Sequence, residues 1–175
     1  MSSDAIARIR GALAGTDAAG ALLSTQDNVF YASAFASVMD GWHLMEPIAA
    51  VFVPTDSALP IVLILPEASI ISVIVSQRGG YPVHYDRLAT FDMLNFCETA
   101  RADDAHLALP EDLLAELGPV MEQVEGQCEQ DIIQTIAATL ARHLSPDDRV
   151  LFDDLRVAAR VHSVSHQQTG DALEV

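Results

Sequence analysis

Two apolar runs, Ile48–Val53 (IAAVFV) and Ile61–Leu65 (IVLIL), constrain this chain more than any other feature. A strand with one wet face alternates polar and apolar residues. A near-continuous apolar run needs cover on both faces. Between the runs, Pro54–Leu59 has turn composition, so the pair reads as a hairpin. Both runs fall far short of the ~18 apolar residues that a membrane-spanning helix takes. A hairpin buried on both sides requires helices above and below it. The predicted fold is therefore α/β and layered, a β-sheet with helices above and below it.

The remaining sequence supplies those layers. Ser3–Gly15 has helical apolar spacing at Ile6, Ile9, Ala12 and Leu13, with Asp4 as N-cap. Ala21–Ser24 reads as a short buried strand. Gln26–Phe35 reads as a helix capped by Asp27 or Asn28, with Phe30, Tyr31 and Phe35 on its apolar side. Glu67–Gln77 is rich in β-branched residues, but Pro66 is a good helix opening and the length suits a helix. Pro82–Tyr85 predicts a short strand, Phe91–Ala100 a helix and Leu107–Leu109 a strand. From Glu111 to Leu144 the apolar residues, Cys128 included, keep a helical period that Pro119 and Gly126 split in two. Arg149–Asp153 predicts a strand and Leu155–His166 a helix. Asp171–Val175 looks like the start of a further element. At 175 residues the chain suits one domain with a sizeable core.

Charge narrows the function. Nine basic residues, all arginine, face 25 acidic ones, for a net charge of −16. Such a chain repels phosphate backbones, so no nucleic-acid partner is expected. No membrane association is expected either. The N-terminus has no apolar signal region, and Cys97 and Cys128 form no CxxC pair, so the expected location is cytoplasmic.

Catalytic signatures are sparse. GxSxG, GxxxxGK[ST] and GxGxxG are all missing. His162 and His166 share one helix face at metal-ligand spacing, but no third ligand accompanies them. The doublets Asp103-Asp104, Asp147-Asp148 and Asp153-Asp154 diverge in direction and read as caps and turns. Neither cysteine has the electropositive neighbourhood of a reactive thiolate. The segment Met39–Glu46 stands out, because it holds the only Trp, a His and two carboxylates in a loop.

One phrase carries a family resemblance. Asn28-Val29-Phe30-Tyr31-Ala32-Ser33-Ala34-Phe35 resembles the N-[IV]-x-Y-[LY]-[TS]-G-[FY] motif of the creatinase/prolidase/aminopeptidase P group, the pita-bread metallohydrolases. Asn28, Val29, Tyr31, Ser33 and Phe35 match, and Ala34 stands where the family usually has Gly. Asp40-Gly41-Trp42 is similar to a phrase that follows the motif in some creatinase-like members.

The resemblance implies that residues 1–175 form a single creatinase/prolidase-type N-terminal domain, an α/β fold of three layers whose mixed β-sheet of about five or six strands is flanked by helices. The C-terminal catalytic domain, whose Asp, Asp, His, Glu, Glu set holds two divalent metals (Mn, Co or Zn), lies outside this chain. This chain is then expected to bind no cofactor and to hydrolyse nothing alone. It would support dimerisation and substrate-site formation in a metal-dependent Xaa-Pro aminopeptidase, dipeptidase or creatinase-like C–N hydrolase. Its partners would be its own catalytic domain and a second subunit. By position, Asp40, Trp42, His43 and Glu46 are the implied substrate contacts. An aromatic face with carboxylates suits a peptide N-terminus or a guanidino compound. The alternative is a non-catalytic binding module derived from the same family.

Overall fold

The computed structural model describes residues 2–37, 47–93 and 111–169. Five strands form one mixed sheet: β1 (Ala18–Leu23), β2 (Ala50–Pro54), β3 (Val62–Pro66), β4 (Arg87–Phe91) and β5 (Arg149–Phe152), in the order β4-β3-β2-β1-β5. β1, β2 and β3 are antiparallel neighbours; β4 runs parallel to β3 and β5 parallel to β1. Six helices flank the sheet: α1 (Ser2–Leu13), α2 (Gln26–Ser33), α3 (Ile70–Arg78), α4 (Glu111–Met121), α5 (Ile132–His143) and α6 (Leu155–Thr169).

The two apolar runs are the sheet's centre, and every residue of β2 and β3 is buried. Val51, Val53, Leu63 and Leu65 pack with α1, α2, α3 and α4 on one face. Phe52, Val62 and Ile64 pack with α5 and α6 on the other. The continuous hydrophobicity follows from this double cover. Each such buried side chain contributes about 1.5–3 kcal/mol of transfer free energy. α5 shows the local logic most plainly. Ile132, Ile133, Ile136, Ala137 and Leu140 form its buried stripe. Asp131 caps it by accepting from Gln134 N at 2.9 Å.

Several expectations shift. β1 extends over Ala18–Leu23, longer than the expected Ala21–Ser24. α2 is capped by Thr25, neither Asp27 nor Asn28. Its buried residues are Val29, Ala32 and Ser33, so Phe30 and Tyr31 point away from the sheet and Phe35 alone of the three aromatics enters the core. Pro82–Tyr85 is no strand: the His84 N–H bonds Ser33 O instead of a ladder, and the strand begins at Arg87. Pro119 lies inside α4. Residues 122–131, Cys128 among them, leave the helical period. Of the expected helix Phe91–Ala100, Phe91 ends β4 and Asp92 and Met93 are not helical; its remainder, the strand at Leu107–Leu109 and the terminal Asp171–Val175 lie outside the described residues.

The departure at 122–131 has a purpose. Val124 and Glu129 bridge Leu88 and Phe91 in parallel fashion along the outer edge of β4. The bonds Glu125 N to Leu88 O (2.8 Å) and Asp92 N to Glu129 O (2.8 Å) satisfy edge groups that would otherwise be free to pair with another chain. The strap spends more residues than β4 does, and Gly126 at φ +75° takes up the excess.

Candidate functional site

The four sequence-predicted contacts, Asp40, Trp42, His43 and Glu46, lie outside the described residues. What the structure describes is the framework on either side of them. α2 carries the motif and ends six residues before that segment begins at Met39. Ile48 and Ala49 are buried just after it.

Five of the motif positions have a physical task. Asn28 donates its Nδ2 to Asp153 Oδ2 at 3.0 Å. Val29 is buried. Ser33 Oγ donates to Val29 O at 2.7 Å and accepts from Phe35 N at 3.1 Å, turning the chain out of the helix. Ala34 adopts the left-handed conformation (φ 59°, ψ 13°) and its N–H bonds Phe30 O. That is the helix-terminating geometry glycine adopts at least cost. Phe35 then anchors in the core at 2% exposure. Tyr31, at 45% exposure, is the motif residue the core does not use.

Asp153 is the feature that sequence reasoning missed. It sits just past β5 and accepts five hydrogen bonds. Ser24 N (2.8 Å) and Ser24 Oγ (3.0 Å) bond Oδ1; Thr25 N (3.0 Å), Thr25 Oγ1 (2.7 Å) and Asn28 Nδ2 (3.0 Å) bond Oδ2. Burial disfavours its charge, but the bonds from Thr25, Asn28 and Ser24 outweigh that effect and hold its pKa below the ordinary range. A carboxylate here also opposes the positive end of α2. Thr25 makes no side-chain cap of its own, because its hydroxyl is turned to Asp153. Asp103 and Asp104 lie outside the described residues, and two of the other doublet residues sit in turns and caps as expected. Asp148 accepts from Ser145 N, and Asp154 accepts from Arg156 N at the start of α6.

A second cluster joins the strap to α5. Glu125 Oε1 lies 2.8 Å from His143 Nε2 and 3.3 Å from Arg142 Nη1. The His143 ring stacks on Phe52 at 6.3 Å between centroids. Phe52 in turn covers Gly20, where a Cβ would lie 2.6 Å from its ring. This column ties the strap, α5, β2 and β1 together. Cys128 on the strap is exposed. Partial burial raises its pKa, against a Thr90 hydrogen bond that lowers it, and Glu67, Asp92 and Glu129 raise it further. Its thiolate is therefore disfavoured. Among the described residues no group of three His, Cys, Asp or Glu is placed to hold a metal ion, and no helix is long and apolar enough to cross a membrane. His162 lies on α6; the side chain of His166 is outside the described residues.

No family model matches the chain, and no curated protein matches it. Solved structures do. The chain is similar to creatinase/prolidase N-terminal domains. One is the creatinase/prolidase N-terminal domain of an X-Pro dipeptidase from Streptococcus pyogenes, at 17% identity, covering 73% of this chain and 99% of that one with TM-score 0.37. Another is an aminopeptidase P from Streptococcus thermophilus, at 10% identity, covering 90% of this chain and 96% of that one with TM-score 0.39. A recombinant prolidase from Thermococcus sibiricus, at 8% identity and TM-score 0.33, is matched over 97% of this chain but 50% of its own length.

Proposed function

We propose that this chain is the accessory N-terminal domain of a metal-dependent hydrolase acting on Xaa-Pro or a related C–N bond. In this reading it supports a dimer and helps form the substrate site, and the divalent metal (Mn, Co or Zn) belongs to a separate catalytic domain. The observation that carries the reading is the way Asn28–Phe35 is built into the fold. Asn28, Val29, Ser33 and Phe35, all motif positions, act in anchoring or turning the chain, and Ala34 holds the left-handed geometry at the position where the motif has Gly. A sequence pattern that coincides with its own structural requirements is stronger support than residue matches alone. The pattern also directs the chain into the segment bearing Asp40, Trp42, His43 and Glu46, which we assign as substrate contacts from the neighbouring subunit's side of the site. Trp42 offers a face for a cationic or pyrrolidine group, and the carboxylates an anchor for an ammonium.

The test compares this 175-residue chain with the complete product of its gene, on Xaa-Pro dipeptides and Xaa-Pro-containing peptides, with and without added Mn²⁺ or Co²⁺. Activity confined to the longer protein, with Trp42→Ala and His43→Ala raising KM more than they lower kcat, is the expected result. Hydrolysis by the short chain would overturn the reading. Inactivity of both would leave the binding-module alternative in its place.

A further inference from the structure

Arg10 is oddly placed for a chain so rich in carboxylates. Arg78, Arg142, Arg149 and Arg156 each meet at least one acidic side chain. Arg8 and Arg87 have no such partner among the described residues but are exposed to solvent. Arg10 is partly buried, and its single hydrogen bond among the described residues runs from Nε to Pro54 O, at 3.0 Å. That bond tethers the Nε edge of the guanidinium. Among the described residues it leaves the Nη1 and Nη2 donors, the pair suited to grip a carboxylate in fork fashion, without an acceptor.

Arg10 lines a cavity of about 510 Å³ between α1 and the chain leading into β3 and β4. Ile6, Ile61 and Val83 give the cavity apolar walls, and His84 and Asp86 line it as well. The site is held rigidly. His84 N bonds Ser33 O at 2.8 Å, and Asp86 Oδ2 accepts from Ile61 N at 2.8 Å. Asp86 shares the cavity with Arg10 without forming an ion pair with it. An anion beside the mouth disfavours a ligand carrying two negative charges. A guanidinium tethered at Nε, apolar walls and one carboxylate in the same lining define the chemistry that fits.

We propose that this cavity binds a small monocarboxylate with a short branched apolar body, its carboxylate on Arg10 and its body against Ile6, Ile61 and Val83. The carboxylate can belong to a free apolar amino acid or to a simple carboxylic acid. In the amino acid, Asp86 receives the ammonium. The inference uses none of the residues assigned as substrate contacts above and stands whether or not that assignment does.

Three matched probes separate the parts: L-leucine, 4-methylpentanoate and 3-methylbutylamine. Titration of the ¹⁵N-labelled chain, followed by amide and Arg10 Nε–H shifts, reads binding directly. L-Leucine and 4-methylpentanoate are expected to bind with Kd on the order of 1–10 mM, as suits ligands of so few atoms. The amine is expected not to bind. Arg10→Gln should weaken both carboxylates by roughly 10- to 100-fold. Ala7→Glu places an anion on the same wall at an exposed helical position, where folding is indifferent to it, and should abolish binding in a chain whose Tm is unchanged. Saturable shifts at Ala7, Ile61 and Asp86 that both variants remove support the proposal. It fails if neither carboxylate binds by 50 mM, if the amine binds as well as leucine, or if Ala7→Glu leaves leucine binding intact.

Discussion

Asp153→Asn is the most informative single change. The substitution preserves shape and removes charge, and five donors converge on this carboxylate. An amide has one acceptor oxygen. If that oxygen keeps Ser24, the new NH₂ faces Thr25 N and Asn28 Nδ2, two donors that it cannot serve; the Thr25 hydroxyl can rotate and accept. If the amide flips, Ser24 N is orphaned instead. A hydrogen bond to a charged group is worth about 1.5–3 kcal/mol, less at exposed Asn28. Losing one strong and one weak bond gives a cost of about 3 kcal/mol. For a domain of this size that lowers Tm by roughly 6–12 °C.

The effect also has a pH signature. The carboxyl pKa is lowered in the fold, so its contribution is fully present above the unfolded value of ~3.9 and disappears as pH falls through the folded value. Thermal melts of both proteins between pH 7 and pH 2.5 should show a wide gap at neutral pH that narrows only below about pH 4. Equal Tm values at pH 7, or a gap that stays constant through the acid range, would refute the reasoning.

Ala34→Gly should stabilise the chain by about 0.5–1 kcal/mol, because φ 59° strains alanine more than glycine's added unfolded-state entropy costs; urea midpoints at fixed m-value check this. Gly20→Ala should destabilise by about 1–3 kcal/mol, since its Cβ would meet Phe52 at 2.6 Å; a Tm equal to that of the parent would contradict the column of Gly20, Phe52 and His143. Glu125→Ala leaves His143 Nε2 without its carboxylate partner and should cost about 1–3 kcal/mol. Hydrogen exchange should then speed up along residues 123–129 before it does in β2 or β3.

What the sequence determined by itself is whatever depends on near neighbours in the chain. The unbroken apolar runs of β2 and β3 require cover on two faces wherever they sit, so the layered α/β architecture was legible from them. The stripe Ile132, Ile133, Ile136 and Leu140 behind Asp131 specifies α5 in the same local way, and Pro66 opens the helical turn that leads into α3 despite its β-branched residues. Tertiary structure decided the rest. Asp153 caps an element more than a hundred residues away, which no local spacing encodes. Phe30 and Tyr31 are exposed because α2 turns Val29, Ala32 and Ser33 inward instead. Residues 123–129 abandon a helical period because β4 has an open edge, and satisfying its backbone donors and acceptors outweighs local helical preference. Arg10 meets its cavity only once α1 packs on the sheet. Periodicity reveals which faces are buried; long-range hydrogen bonds, set by the packed chain, choose which polar groups meet.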